Sequence, residues 1–186
     1  MSDILSDADA YTEPCFSLRN RILRTVWGVV YVLLFRYSPK TFHLWRIFLL
    51  RCFGASIGRH CHIYPKAVIW APWNLEMGDY SCFADDVICY SMAKIKVGDR
   101  CVISQGARLI AATHDYNDPR FPLVARRIDI MDHVWVASEA FISYGVRINE
   151  GAVIGARSVV TKDIPEWTVC AGNPCSVVKE RKRPGA

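Results

Sequence analysis

A six-residue repeat of large aliphatic side chains is the feature of this sequence that most restricts its fold. An amphipathic helix would repeat its apolar face every 3.6 residues, and a strand would alternate with a period of two. A period of six is typical of a parallel β-helix, in which each flat face of a triangular coil takes six residues and sends one aliphatic side chain into a shared core. The unbroken run of this step comprises Ile130, Val136, Ile142, Ile148, Ile154 and Val160.

Five seven-residue segments show the same pattern, with a large apolar residue at each end and glycine at the second position in three of them. They begin at Ile57, Met77, Val97, Ile130 and Ile148. The starts lie 20, 20, 33 and 18 residues apart, so the successive coils exceed a three-face coil of 18 residues by 2, 2, 15 and 0. We therefore predict a mainly β protein built as a parallel β-helix, because at least three stacked coils bury one another's faces.

The excess of 15 residues predicts a loop ejected from the coils between Leu109 and Ile130. Residues 111–122 are rich in turn formers and also contain aromatic side chains, which argues against disorder. An interruption of this length adds nothing to the stability of a regular repeat, and long loops in compact domains often carry function. The loop over residues 111–127 is therefore the first place to search for chemistry.

Residues 19–53 form a separate segment rich in Arg, Trp, Leu and Phe, which a Ser-Pro-Lys break at 38–40 divides into two predicted helices. Two interpretations stay open. The helices close one end of the core, or they form an amphipathic element on the inner membrane face, with aromatic rings buried and arginines among the headgroups. The longest apolar run, residues 26–35, is too short to cross a bilayer, which takes about 20 residues.

Length and composition predict a single globular domain, since 186 residues with 52% hydrophobic and 22% charged side chains exclude general disorder. The net charge of +5 suits an anionic ligand or a membrane surface, and no nucleic-acid reader motif is present, so we expect no nucleic-acid partner. Eight scattered cysteines without CxxC spacing, and no secretory signal, indicate a cytoplasmic protein whose reduced thiols mostly fill its core. The predicted organisation is a flexible N-terminus (1–18), a helical segment (19–53), a β-helix domain (54–178) and a basic tail (179–186).

Three motifs make the sequence resemble the hexapeptide-repeat acyltransferases: the repeat, the loop with Thr113-His114-Asp115, and residues 160–165 (VTKDIP) followed by 171–174 (AGNP). The resemblance covers residues 20–180 and is strongest to the sugar O-acetyltransferases. Residues 35–40 and 44–58 are similar to the colanic-acid or exopolysaccharide biosynthesis type. The resemblance implies a left-handed parallel β-helix, a homotrimer with active sites between subunits, and acetyl-CoA as co-substrate along the coils.

The resemblance also places a catalytic base on the ejected loop, and His114 is the histidine that matches. Histidine suits this task because its unperturbed pKa of about 6.5 lies near working pH, and the base must remove the hydroxyl proton as the oxygen attacks the thioester. Ser138 matches the family's serine near the acyl-transfer centre, where a hydroxyl or N–H would stabilise the oxyanion, and it is equally explained as a corner serine of a coil. The family's acceptor-binding asparagine falls around Asp85 and Asp86, a departure that leaves the sugar open. The positions that match cofactor contacts are Ala156, Thr161 and Lys162, and Lys179 in the basic tail adds attraction for phosphate.

The function that these residues predict is acetyl-CoA-dependent O-acetylation of a sugar or glycan precursor, without a metal. The alternatives are a non-catalytic β-helix scaffold and N-acetylation of an amino sugar by the same base. A zinc enzyme on the same fold is a further alternative. His60 and His62, at positions i and i+2, are expected on one side of a strand, and His114 and His133 would add ligands.

Overall fold

The structure is a computed structural model of the chain, and it describes residues 11–12 and 14–183. Its body is a parallel β-helix of five triangular coils, each built from three short strands, with two N-terminal helices and one ejected loop. The predicted fold class is therefore confirmed. The first three coils consist of β1 (Ser56–Ile57), β2 (His62–Ile63) and β3 (Val68–Ile69), then β4 (Leu75–Met77), β5 (Cys82–Phe83) and β6 (Ile88–Tyr90), then β7 (Ile95–Val97), β8 (Val102–Ile103) and β9 (Arg108–Ile110).

A hairpin interrupts the coils before the last two follow. The hairpin strands are β10 (Ala112–His114) and β11 (Leu123–Ala125). The fourth and fifth coils consist of β12 (Ile128–Ile130), β13 (Trp135–Val136) and β14 (Phe141–Ile142), then β15 (Arg147–Ile148), β16 (Val153–Ile154) and β17 (Val159–Val160).

Equivalent strands of successive coils pair in parallel and form three flat faces, which begin with β1, β2 and β3. The turns from the first to the second face form the first corner. The turns from the second to the third face form the second corner, and the turns from the third back to the first face form the third corner. Ile57 pairs with Met77 and Ile130 with Ile148, so the predicted register between coils is confirmed. The extra residues of the early coils lie at the third corner, where Pro72–Asn74 form a 3-10 turn.

The core is the column of side chains that the six-residue step sends inward. All six residues of the unbroken step from Ile130 to Val160 are at most 1% exposed. Four of the eight cysteines are buried, and all eight are free. Burial raises the pKa of Cys89 to about 12 and that of Cys101 to about 11, so these side chains are neutral thiols that fill the core.

Two helices close the N-terminal end of the coils. Helix α1 (Leu18–Val30) continues through a π-helical turn (Tyr31–Phe35), and helix α2 (His43–Cys52) follows the break that the sequence predicts at residues 38–40. We call residues 18–52 the helical cap. Among the described residues, no helix is both long enough and apolar enough to span a bilayer.

The helical cap also satisfies the backbone of the first coil, whose strands have no neighbour on one side. Arg51 donates to the last carbonyl of β1 at 2.5 Å, Arg46 to that of β2 at 2.5 Å, and the Trp27 indole to that of β3 at 2.7 Å. One side chain therefore caps each face. An open strand edge would otherwise present unpaired backbone groups to other chains.

The opposite end is closed by β18 (Thr168–Ala171), which continues the second face, and by β19 (Ser176–Glu180), which pairs antiparallel with it. Arg181 then donates to two backbone carbonyls of the coils, at 3.0 and 2.7 Å. The β-structure thus extends beyond residue 178, and Lys179 lies in a strand instead of a tail. Residues 1–10 and 13 of the predicted flexible N-terminus, and 184–186 of the tail, lie outside the described residues.

A ladder of aspartates beside the first corner explains the glycines at the second position of the repeat. Asp79 accepts a hydrogen bond from the Arg59 amide at 2.7 Å, Asp99 from that of Asp79 at 2.7 Å, and Asp132 from that of Asp99 at 2.8 Å. Each carboxylate lies against a glycine of the coil before it. A Cβ added to Gly98 would stand 2.1 Å from an Asp132 carboxylate oxygen.

We expect Gly98→Ala to lower the free energy of unfolding by about 2–3 kcal/mol, because the added methyl also meets the Asp132 backbone nitrogen at 2.8 Å. Gly28→Ala in α1 is the matched control, since nothing lies within 4 Å of its Cβ position. The control is expected to stabilise the helix by about 0.5–1 kcal/mol. Calorimetric melting at one protein concentration measures both variants, and a Gly98→Ala protein as stable as wild type would contradict the ladder.

Candidate active site

The residues inserted between the third and fourth coils form an antiparallel hairpin that leaves the coils at the third corner. Strands β10 and β11 pair through three registered residue pairs, with His114 opposite Leu123 at the end of β10. The Arg126 amide donates to the Ala111 carbonyl at 3.1 Å and closes the base. The ejected loop is thus present where the sequence predicts it, and it has a regular structure that the sequence analysis did not predict.

The His114 ring is held from two directions. Its Nδ1 lies 2.8 Å from the Phe121 carbonyl oxygen, and the Phe121 ring stacks on the imidazole with centroids 4.3 Å apart and planes 10° apart. Because a carbonyl oxygen only accepts, this geometry assigns the proton of the neutral imidazole to Nδ1. Nε2 then presents a lone pair, so His114 can accept a proton there as a general base.

Short-range hydrogen bonds fix the residues between the two hairpin strands. Asp115 accepts from the Asn117 amide at 2.9 Å, and Asp118 accepts from the Arg120 amide at 2.9 Å. The Arg120 guanidinium also donates to Asp118 at 2.8 Å, and these bonds lower the pKa of the Asp118 carboxyl. The tip that carries the Phe121 carbonyl is therefore ordered in advance of substrate binding.

Four of the predicted site residues lie along the second corner. Asp85 and Asp86 belong to the second coil, Ser138 to the fourth and Ala156 to the fifth, and backbone hydrogen bonds link these turns from coil to coil. The Asp85 carboxylate is occupied by the Lys66 amide at 3.2 Å and the Lys40 ammonium at 3.8 Å. Asp86 is exposed.

Asp86 lines a cleft of about 460 Å³ that opens at this corner beside the helical cap; we call it the second-corner cleft. Three cations, Arg36, Lys66 and Arg108, line it as well. The other acid in its wall, Glu139, is paired with Arg157 at 2.7 Å. The sequence analysis missed the three cations. The six-residue repeat places Arg108 in register with residues 68 and 88, which also line the cleft, so Arg108 could have been found from the sequence. No pattern near Arg36 indicates that the helical cap places it in the cleft.

Thr161 and Lys162 lie on a different edge, the third corner, which also carries the hairpin. They line a cleft of about 370 Å³ together with Arg126 and Tyr144, and the Arg126 guanidinium lies 5.8 Å from the Tyr144 ring centroid. Two cations and an aromatic ring fit the phosphates and adenine of coenzyme A. Lys179 lies apart from both corners, on β19.

The third face separates the two groups of predicted residues. Asp86 and Tyr90 mark its two ends within one coil, and four residues of extended chain span about 13 Å. His114 leaves from the far end of that face, and within the described residues no hydrogen bond joins it to Asp85, Asp86 or Ser138. Within one chain, the two groups of predicted residues therefore lie at opposite ends of the third face.

The expectation that His60 and His62 share one strand is wrong, although both side chains are exposed. His60 precedes β2 in a left-handed conformation (φ 55°) and stacks on Tyr80 at 5.0 Å, whereas His62 packs against His43 at 4.7 Å. The two rings therefore contact different neighbours, one in the next coil and one in the helical cap. In the described ranges, no cluster of three or more His, Cys, Asp or Glu is placed to hold a metal ion.

The stacked coils with an inserted histidine hairpin are the architecture of the hexapeptide-repeat acyltransferases. No family model matches the chain. The putative colanic acid biosynthesis acetyltransferase WcaF of Escherichia coli (strain K12) is 41% identical over 162 residues, which cover 87% of this chain and 89% of that protein.

Solved structures agree with this similarity. A maltose O-acetyltransferase from Clostridium difficile 630 matches with a TM-score of 0.82 and 28% identity over 90% of each chain. A galactoside acetyltransferase in complex with coenzyme A matches with a TM-score of 0.78 and 25% identity over 90% of this chain and 84% of that one. The chain therefore belongs to the hexapeptide-repeat acetyltransferases.

Proposed function

We propose that this protein transfers the acetyl group of acetyl-CoA to a hydroxyl of a sugar or glycan precursor, with His114 as general base. The observation that carries the proposal is the fixed imidazole, whose Nδ1 is tied to the Phe121 carbonyl at 2.8 Å and whose Nε2 is left to accept a proton. The relatives add support, because the maltose and galactoside enzymes are named for sugar acceptors and WcaF for colanic acid biosynthesis.

The chemistry follows from these side chains. Acetyl-CoA supplies the acetyl group as a thioester. Nε2 of His114 takes the proton of the attacking hydroxyl, and the resulting imidazolium returns that proton to the departing sulfur. The Ser138 hydroxyl donates to the carbonyl oxygen as negative charge develops on it. Asp86 accepts hydrogen bonds from sugar hydroxyls and orients the acceptor.

The donor site that we propose runs down the coils from the hairpin. Thr161 and Lys162, with Arg126 beside them, hold the phosphates. The second corner of a neighbouring copy brings the small side chain of Ala156, which leaves room for the pantetheine arm. Lys179 contributes only general attraction for phosphate, because it lies on β19, away from this track.

The complete site forms between subunits of a homotrimer in this proposal. The separation of His114 from Asp86 and Ser138 by the third face supports it, because a three-fold interface is heterologous and brings two different surface patches together. Each of the three interfaces would then hold one site.

The place of action that we propose is the cytoplasm, with peripheral membrane contact through residues 19–53. All eight cysteines are free, which suits a reducing compartment that also supplies acetyl-CoA.

Thiol release from acetyl-CoA in the presence of methyl glycosides, amino sugars, nucleotide sugars and glycan fragments tests the function. We expect release that depends on a hydroxyl acceptor, and mass spectrometry should find an ester on the product. Calorimetric titration with coenzyme A is the control for the donor site. Absence of donor binding would favour a scaffold, and acetylation of amino groups alone would favour an N-acetyltransferase.

A further inference from the structure

The positive charge of this protein is concentrated at one end. Residues 14–75, which include the helical cap and the first coil, carry nine Lys and Arg and no Asp or Glu. Residues 76–186 carry 14 of each sign and are neutral, and the four Asp and Glu of residues 1–13 bring the whole chain to +5. The capped end is therefore strongly cationic, whereas the remaining coils have no net charge.

The helical cap is also apolar on both of its sides. Trp27 and Phe35 face the coils and are buried, but Ile22, Val26, Val29 and Leu33 form a second stripe at helical spacing that is 48–68% exposed. Helix α2 continues this outer surface with three large side chains. They are Leu44 (80% exposed), Trp45 (39%) and Phe48 (55%). A contiguous exposed apolar surface marks a place where a soluble protein meets another apolar partner, so this outer surface needs one.

The exposed apolar surface adjoins the second-corner cleft. Leu33 and Leu34 lie on the surface, and Arg36, two residues later, lines the cleft. Lys40, from the same connection between helices, reaches Asp85 at 3.8 Å, next to the acceptor residue Asp86. A molecule held at the outer surface of the cap would thus have its polar end at the cleft.

The cleft itself favours an anionic acceptor. Across residues 14–183, no ion pair joins Arg36, Lys66 or Arg108 to an acidic side chain, while Glu139 is engaged by Arg157. Three cations without acidic partners suit phosphate, because arginine and lysine bind phosphate oxygens through charge-assisted hydrogen bonds.

We propose that the helical cap docks this enzyme on an anionic bilayer and that its acceptor is a membrane-anchored glycolipid, whose phosphate-linked sugar enters the second-corner cleft. The inference rests on the proposed function for the reaction and adds the class of acceptor. Apolar side chains of the cap enter the boundary between headgroups and acyl chains, and the cationic residues around them attract anionic lipid. The diphosphate that links sugar to lipid then lies at headgroup depth, where the cleft cations bind it.

Vesicle binding tests the docking surface. Full-length protein is mixed with vesicles of phosphatidylglycerol and phosphatidylcholine at a ratio of about 1:2, or of phosphatidylcholine alone, and sedimented. We expect wild type to bind the anionic vesicles, with binding that weakens as salt rises. Leu33→Ser with Leu44→Ser should reduce partitioning by about tenfold or more. The matched control is Val177→Ser with Val178→Ser, two exposed apolar residues of β19 at the opposite end.

Either of two results would overturn docking: equal vesicle binding by the cap variant and wild type, or no binding by wild type. A salt-resistant assembly larger than a trimer that the cap variant disperses would show that a second copy covers the surface instead. Coenzyme A affinity, measured by calorimetry, should be the same in all variants. If the wild-type protein does not bind coenzyme A, that result would count against the proposed function, whereas the vesicle result would still test docking on its own.

The acceptor class is tested with one set of hexoses in three forms. Each is offered as an undecaprenyl diphosphate in the anionic vesicles, as a uridine diphosphate sugar and as a methyl glycoside. We expect kcat/KM to be at least about tenfold higher for the lipid-linked form. Arg108→Gln should raise KM for both diphosphate-linked forms and leave KM for the methyl glycoside unchanged. Equal or higher rates with the nucleotide sugars or methyl glycosides would refute the glycolipid acceptor.

Discussion

His114→Ala should lower kcat for acetyl transfer by about a thousandfold, within the range by which a positioned general base accelerates a reaction. The hydrogen bond from Nδ1 to the Phe121 carbonyl leaves Nε2 of the imidazole as the proton acceptor. Alanine removes that acceptor from the attacking hydroxyl. The stability of the variant should stay within about 0.5 kcal/mol of wild type, because the side chain lies on the hairpin outside the packed coils. Direct measurement of acetylated product, together with calorimetric melting, separates lost chemistry from lost fold.

Tyr116→Ala is the control for this variant, since Tyr116 is 81% exposed on the same hairpin. Its activity should match that of wild type. Normal turnover by His114→Ala would end the assignment of the base.

The same variant also tests whether the site lies between chains. Co-assembly of His114→Ala chains with Asp86→Ala chains should restore about a quarter of wild-type activity if each site takes one residue from each of two copies, because random trimers then contain some sites with both residues intact. Sites built within one chain would stay inactive in every mixture. Each variant alone, carried through the same mixing procedure, provides the baseline.

The repeat could be predicted from the sequence because its cause is local. A period of six records which side chains point inward, and every residue of the unbroken step is buried. The ejected loop was predictable for the same reason, as a departure from that period, although its pairing as a hairpin was not. The glycines at the second position of the repeat were visible in the sequence, but the reason why glycine is required there was not. Asp132, which crowds Gly98, is 34 positions further along the chain.

Contacts between distant parts of the chain were beyond such reasoning. Nothing near Arg46 or Trp27 in the sequence indicates that these side chains cap the first-coil strands, since the alternation of a strand and the stripe of a helix describe single elements. The pairing of Asp85 with Lys40, which leaves Asp86 to face the cleft, depends on how the cap sits on the coils. The prediction placed His60 and His62 on one strand, but His60 lies in the turn before β2 with a left-handed backbone, which no distinctive sequence signals.

Arg46→Met should lower the free energy of unfolding by about 3 kcal/mol, although methionine preserves much of the side-chain volume. Arg46 is fully buried, and its guanidinium donates to the last carbonyl of β2 at 2.5 Å and to the Pro39 and Lys40 carbonyls at 2.8 and 2.6 Å. Each carbonyl left without a donor costs about 1–3 kcal/mol, partly offset because methionine avoids the desolvation that lowers the pKa of Arg46.

Hydrogen exchange shows where that stability is lost. In a solenoid each coil contacts only its neighbours, so a defect in the cap should be confined to its own end. We expect amides of β2 and β5 to exchange faster in Arg46→Met, while those of β13 and β16 in the same face keep their wild-type rates. Arg46→Lys is the second variant to compare. It retains the positive charge but loses the planar guanidinium, which donates to three carbonyls at once. If lysine restored both the melting temperature and the exchange rates, charge and not geometry would secure the cap. If the amides of all coils exchanged faster together, the cap would belong to one cooperative unit with the coils that hold the hairpin.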